Sequence, residues 1–200
     1  MTTFWKVFVA LLAIGIVVSM AMLFAGSQPV GSENLVGKPL PDFAAPLASG
    51  SSDADANIYT EAQAEVAGST AACAVEVPGA FNSCRDLSGR SIVMFWNSTK
   101  SECVGEVDEL NDYARSSPDV NVVAVAFDQS VESARAFVDT KDWSLPVAID
   151  ADGAVAGLYA VAGCPSTFFV RDGQVTGVKL GALSSAQLDA GLAKEAGATN

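Results

Sequence analysis

Four cysteines, Cys73, Cys84, Cys103 and Cys164, hold the redox and nucleophilic capacity of this 200-residue chain, which has no histidine. Without an imidazole, His-based zinc sites, Ser-His-Asp and Cys-His catalysis and a histidine pH switch are all excluded. Acid–base work falls to carboxylates, lysine, thiols or water. No metal or cofactor is expected. Ten residues that include Pro78 and Gly79 separate Cys73 from Cys84. In an oxidising compartment these two most simply pair with each other, and closing that loop contributes ~3 kcal/mol in the chain-entropy account. Four cysteines permit three pairings, so a regulatory or resolving role for Cys73 and Cys84 stands beside the structural one.

The segments around Cys103 and Cys164 are the most regular in the chain. Ile92 to Trp96 is a short apolar run of strand formers, as expected for a buried central strand. Thr99-Lys100-Ser101-Glu102 fits a capping box with Thr99 as N-cap, which places Cys103 in the first turn of a helix running to about Arg115. Val104, Val107, Leu110 and Tyr113 form its apolar stripe. Val120 to Phe127 reads as a second buried strand, Val131 to Thr140 as a helix, and Pro146 to Asp150 as an edge strand. A short helix over Asp152 to Tyr159 precedes Cys164. Residues 166–170 and 174–180 then pair as a hairpin through Arg171-Asp172-Gly173, and a capped helix spans Ser184 to Glu195. This order implies an α/β domain, a mixed central sheet with flanking helices.

The N-terminal part differs in character. Val7 to Ala25 is nineteen residues without a charge, roughly 28 Å of helix and close to the bilayer hydrocarbon thickness. The run is longer than the apolar core of a signal peptide, and Leu23-Phe24-Ala25 is an indifferent cleavage site, so an uncleaved transmembrane anchor is expected. Lys6 before the run and Glu33 as the first charge after it put residues 1–6 in the cytoplasm and the domain outside. Residues 26–36 read as a linker and 37–200 as the domain. The prolines of Gly37 to Leu47 suit an extended lead-in. Residues from about 48 to 84 are poor in large apolar side chains and are expected as a loosely ordered insertion. The net charge is −12 with no basic stripe, which excludes nucleic acid as a partner.

Leu87-Ser88-Gly89-Arg90, the strand ending in Phe95-Trp96, the capped helix carrying Cys103, and Gly163-Cys164-Pro165-Ser166-Thr167 together resemble the TlpA-like thiol–disulfide oxidoreductases, with Tyr159, the Arg171-Asp172-Gly173 turn and Gly181-Ala182-Leu183 also in place. The resemblance covers about Gly37 to Ala193. It implies a thioredoxin-like fold bordering the peroxiredoxins and activity on protein thiols or disulfides. The family's motif after Phe-Trp is three residues and then Cys-x-x-Cys. Lys100 occupies the first cysteine's place here, and Cys103 the second. Dithiol exchange needs an exposed thiolate to attack and a second thiol to release it, so this chain cannot run that cycle in the family's way.

By the same resemblance, Pro165 matches the proline that is cis in this fold and lies against the active-site helix, lining the substrate groove. Cys164 then stands beside Cys103. That implied proximity carries three readings: a catalytic redox pair, an inert bridge, or two unlinked thiols. Lys100 is either a thiolate-stabilising cation one turn before Cys103 or a solvated residue at the helix start. Met94 aligns with a position where some thioredoxins keep a buried carboxylate, a role methionine cannot fill. Glu102 and Glu106 read as cap or exposed helix residues. The functions in competition are an envelope oxidoreductase using Cys103 with Cys164, a non-catalytic binding module using the groove beside Pro165, and a peroxiredoxin-like peroxidase using Cys103. The last lacks the Pro and Thr usual before its peroxidatic cysteine.

Overall fold

The computed structural model describes residues 31–194. The anchor expected over residues 7–25, with its cytoplasmic flank, lies outside them. Among the described residues no helix is long and apolar enough to cross a membrane.

The central element is β3 (Arg90–Trp96), in which Ile92, Val93, Met94, Phe95 and Trp96 have no exposed surface. A strand buried on both faces needs apolar residues at every position, which this run supplies. It pairs in parallel with β4 (Asn121–Phe127), which pairs in parallel with β5 (Val147–Asp150). On its other side β3 pairs antiparallel with β6 (Ser166–Arg171), and β6 with β7 (Gln174–Leu180), giving the order β5-β4-β3-β6-β7. The parallel connections require crossover helices. These are α3 (Ser101–Ser116) between β3 and β4, and α4 (Val131–Val138) between β4 and β5; the short α5 (Ala154–Leu158) follows β5.

Alternation along β3 divides the core. Ile92, Met94 and Trp96 pack with Cys103, Val107 and Leu110 of α3 and with Leu188 and Leu192 of α6 (Ser185–Leu192). Val93 and Phe95 face the other way, onto Phe43, Tyr159 and Phe168. Each such side chain, fully buried, contributes about 1.5–3 kcal/mol. Gly191 lets α6 approach the sheet closely, since a Cβ there would collide with the Phe169 ring.

Residues 48–84 depart from the expectation of loose order. Thr60 and Gln63 form a capping box at the start of α1 (Glu61–Ala67), Ala72–Ala74 is a 3-10 turn, and β2 (Ala80–Asn82) pairs with β1 (Ala44–Pro46). Polar bonding does here what apolar packing does elsewhere. The buried Asn82 amide donates to the carbonyls of Ala72, Cys73 and Val75, while its oxygen accepts from Cys84 N, just inside α2 (Ser83–Asp86). A signal of this kind is spread over one side chain and four distant backbone atoms, so composition does not register it.

Candidate functional site

The register of the sheet assembles the site. Phe95 pairs with Ser166 and Met94 with Thr167, so the end of β3 and the start of β6 lie side by side. Chain leaving β3 turns into α3, and chain entering β6 comes from the Gly163-Cys164-Pro165 loop. The N-terminus of α3 and that loop therefore meet above the sheet edge.

Both segments are pinned. Asn97 is buried, donates to the carbonyls of Phe127 and Asp128, and accepts from the N–H and hydroxyl of Thr99. This corrects the capping box expected from Thr99 and Glu102. With Thr99 captured by Asn97, the helix starts one residue later, and Lys100 is its N-cap with extended backbone and no side-chain cap. On the other side the Cys164–Pro165 bond is cis, the Ser166 hydroxyl donates to Gly163 O, and Pro165 O accepts from Gly181 N. Loop and helix are thus held by the ends of β4 and β7 rather than by each other alone.

Cys103 and Cys164 are joined by a disulfide with an S–S distance of 2.03 Å and Cα atoms 5.6 Å apart. Their environments differ. Cys103 is the third residue of α3 and has no exposed surface, with its N–H donated to Lys100 O; Cys164 is only half-buried. A helix N-terminus favours negative charge and hence a thiolate at Cys103. Lys100, the N-cap of α3, is exposed. Chemically, the arrangement can accept two electrons and become a dithiol.

Glu106 lies one turn beyond Cys103 and is buried, against the expectation of an exposed or capping residue. Both carboxylate oxygens accept the Leu183 N–H, at 2.9 and 3.0 Å. Burial pushes its pKa up, partly opposed by that bond, and the nearby Glu109 pushes it further up. The amide it satisfies belongs to the turn after β7, so helix periodicity alone could not find it; only the tertiary partner makes burial tolerable. Trp96 Nε1 and Thr167 Oγ1 are buried with no hydrogen-bond partner in the structure, and Thr167 is the register partner of Met94. Glu102 is exposed.

Cys73 and Cys84 form a second disulfide, with Cα atoms 5.5 Å apart. Both residues are exposed, and the Asp42 carboxylate lies within 4.8 Å of their sulfurs. With the sulfurs bonded to each other, Asp42 is the one charged ligand left to that cluster.

The chain is similar to several known proteins. The AhpC/TSA family profile matches residues 36–178. Thiol-disulfide oxidoreductase ResA from Oceanobacillus iheyensis is 31% identical over 108 residues, which are 52% of this chain and 56% of that protein. The chain thus spans little more than half the length of that relative. A thiol:disulfide interchange protein of the thioredoxin family from Chlorobium tepidum superposes with a TM-score of 0.56 at 17% identity, over 77% of this chain and 92% of its own. A secreted Mycobacterium tuberculosis disulfide oxidoreductase homologous to E. coli DsbE gives 0.51 at 24% identity, over 57% and 88%. At these identities the two structures establish a shared thioredoxin-like fold.

Proposed function

This chain belongs to the AhpC/TSA family, and we propose that it is a membrane-anchored, extracytoplasmic thiol–disulfide oxidoreductase of altered mechanism, working through Cys103 and Cys164. The observation that carries this reading is the bond between these two residues across the meeting of a helix N-terminus and the Cys164–Pro165 loop. In a TlpA-like site, thiol exchange would use a cysteine where Lys100 stands. Here the second thiol is supplied from the proline loop, 61 residues away in sequence. Reduced, the pair passes two electrons to a protein disulfide; oxidised, it takes two from a protein dithiol. Lys100, exposed and at the helix start, favours thiolate in the reduced site and carries no electrons itself. Pro165 shapes the groove that receives the partner's chain, and Cys73–Cys84 is a structural bridge. The names of the relatives, an oxidoreductase and an interchange protein, support thiol–disulfide chemistry.

The test is turnover of a protein disulfide such as insulin by the full chain in detergent, with a dithiol as reductant. Turnover that Cys103→Ala and Cys164→Ala each abolish supports the proposal. Peroxide consumption without insulin turnover would move the chain to the peroxidase reading, and neither activity would leave a binding module. For location, protease added to spheroplasts should digest the domain while the chain remains in the membrane fraction. A mature N-terminus near Gly26 would overturn the anchor.

A further inference from the structure

We infer that the cysteine of this site that exchanges with a partner is Cys164, on the loop before β6, and that Cys103 is the resolving cysteine, which forms no bond to the partner. The inference rests on the oxidoreductase reading above and assigns the order of events within it. Thiol–disulfide exchange proceeds through a mixed disulfide, and its rate depends on which sulfur can be reached and on how readily the other leaves as thiolate. Access decides between the two sulfurs here.

The first is access. Cys103 has no exposed surface and packs within the core cluster of Met94, Trp96, Val107 and Leu110, whereas Cys164 only borders that cluster and is half-buried. A thiolate must approach along the S–S axis, from behind the sulfur it attacks. Cys103 lies among core side chains, and Cys164 lies on a half-buried loop at the edge of that cluster. The second is the leaving group. Cys103 occupies the first turn of the sixteen-residue helix α3, where the amide dipoles stabilise negative charge and partly offset the cost of a thiolate among apolar side chains.

The steps balance. In the reducing direction the Cys164 thiolate attacks one sulfur of the partner disulfide, forming a Cys164–partner bond and expelling the partner's other sulfur as a thiolate, which takes a proton from solvent. The Cys103 thiolate then attacks Cys164 Sγ. The Cys103–Cys164 bond forms, the mixed disulfide breaks, and the partner's second thiolate leaves and is protonated. Two electrons have passed from the protein dithiol to the partner. In reverse, a partner thiolate attacks Cys164 Sγ and Cys103 departs as a thiolate; the partner's second thiolate then attacks its own sulfur in the mixed disulfide, the partner disulfide forms and Cys164 departs as a thiolate, so the substrate that is oxidised is a dithiol. This order inverts that of a Cys-x-x-Cys helix, where the exchanging sulfur would sit at position 100.

The test uses the full chain in detergent. Cys103→Ala, reduced under conditions that leave Cys73–Cys84 linked, should react with 5,5′-dithiobis(2-nitrobenzoate) at least about tenfold faster than Cys164→Ala, as thiol exposure dictates. The Cys103→Ala adduct should map by mass to Cys164. Equal reactivity, or faster reaction of Cys164→Ala, would overturn the assignment. Because removing a buried sulfur can perturb folding, the unmodified chain gives a second reading. After exposure to glutathione and acid quenching, adducts on Cys164 support the order, and adducts on Cys103 overturn it. Insulin turnover by the wild-type chain is scored separately, so its absence would sink the oxidoreductase reading without touching the preference for Cys164.

Discussion

Glu106 holds the Leu183 amide with both oxygens of a buried carboxylate, one helical turn from Cys103. The pair ties α3 to the turn that leads into α6, and it makes the stability of the domain depend on pH. Burial raises the pKa of Glu106 above its ordinary 4.5 in the folded state. Between the ordinary value and the raised one, the folded chain binds more protons than the unfolded chain. Stability is therefore full below the ordinary value and is lost as pH rises through the folded pKa. Asp150, also buried and raised chiefly by burial, adds a loss of the same sign. Urea unfolding followed from pH 4 upward should show this decline, and Glu106→Gln, which keeps an acceptor for Leu183 and removes the charge, should flatten it. An unchanged slope in Glu106→Gln would show that Glu106 is not its source. Glu106→Ala should cost about 1–3 kcal/mol, the penalty for a buried amide left unpaired.

Gly191 and Gly105 both lie in helices, yet they should respond to alanine with opposite signs. A Cβ at Gly191 meets the Phe169 ring, while Gly105 has nothing within 4 Å. Gly191→Ala should destabilise by about 1–3 kcal/mol through overpacking, and Gly105→Ala should stabilise by about 0.5–1 kcal/mol through helix propensity. Denaturant midpoints of the two variants measure the contrast. Equal shifts would mean that α6 does not approach the sheet as closely as described.

Lys100 stands at the helix start where a Cys-x-x-Cys motif would place its first thiol. In the reduced protein, Lys100→Ala should slow alkylation of the accessible cysteine several-fold, because one cation near the thiolate is removed. Lys100→Cys should introduce dithiol reductase activity that no longer requires Cys164. Iodoacetamide kinetics and insulin turnover read the two effects. A Lys100→Cys variant that is folded but still needs Cys164 would show that more than one residue separates this site from a Cys-x-x-Cys reductase.

Cys73→Ala should lower stability by about 2–5 kcal/mol, the usual loss for a native bridge, and leave the exchange chemistry intact. Asn82, bonded to three carbonyls and to Cys84 N, should keep the segment's fold when the bridge is gone. Unfolding curves and insulin turnover on the same preparation separate the two effects. Loss of turnover with an unchanged unfolding curve would assign this bridge to the reaction.

Much of the scaffold is legible in the chain because burial writes a periodic signal. Ile92 to Trp96 and Val122 to Ala126 are continuous apolar runs, and they are the two buried central strands. The start of α3 is less legible. Thr99 fits a cap by local pattern, but Asn97 reaches it first because its amide is already fixed to the carbonyls of Phe127 and Asp128 thirty residues on. Glu106 is the sharper case: an acidic residue on a helix ordinarily faces water, and only the distant Leu183 amide allows it inside. At the site, the departure at Lys100 can be read directly. The difference in exposure between Cys103 and Cys164 cannot, because it depends on how helix and loop pack.

Exchange through Cys103 and Cys164 requires that their bond be reversible. The decisive measurement equilibrates the full chain, purified in detergent from its native host, across a series of thiol–disulfide redox buffers. Each sample is acid-quenched and alkylated, and its cysteine peptides are mapped by mass. Peptides carrying Cys103 and Cys164 should pass together from linked to doubly alkylated and back, at a potential less reducing than the roughly −300 mV below which structural bridges lie, while Cys73 and Cys84 remain linked. A Cys103–Cys164 bond that resists reduction as firmly as Cys73–Cys84, or free thiols at both positions under oxidising buffer, would contradict it.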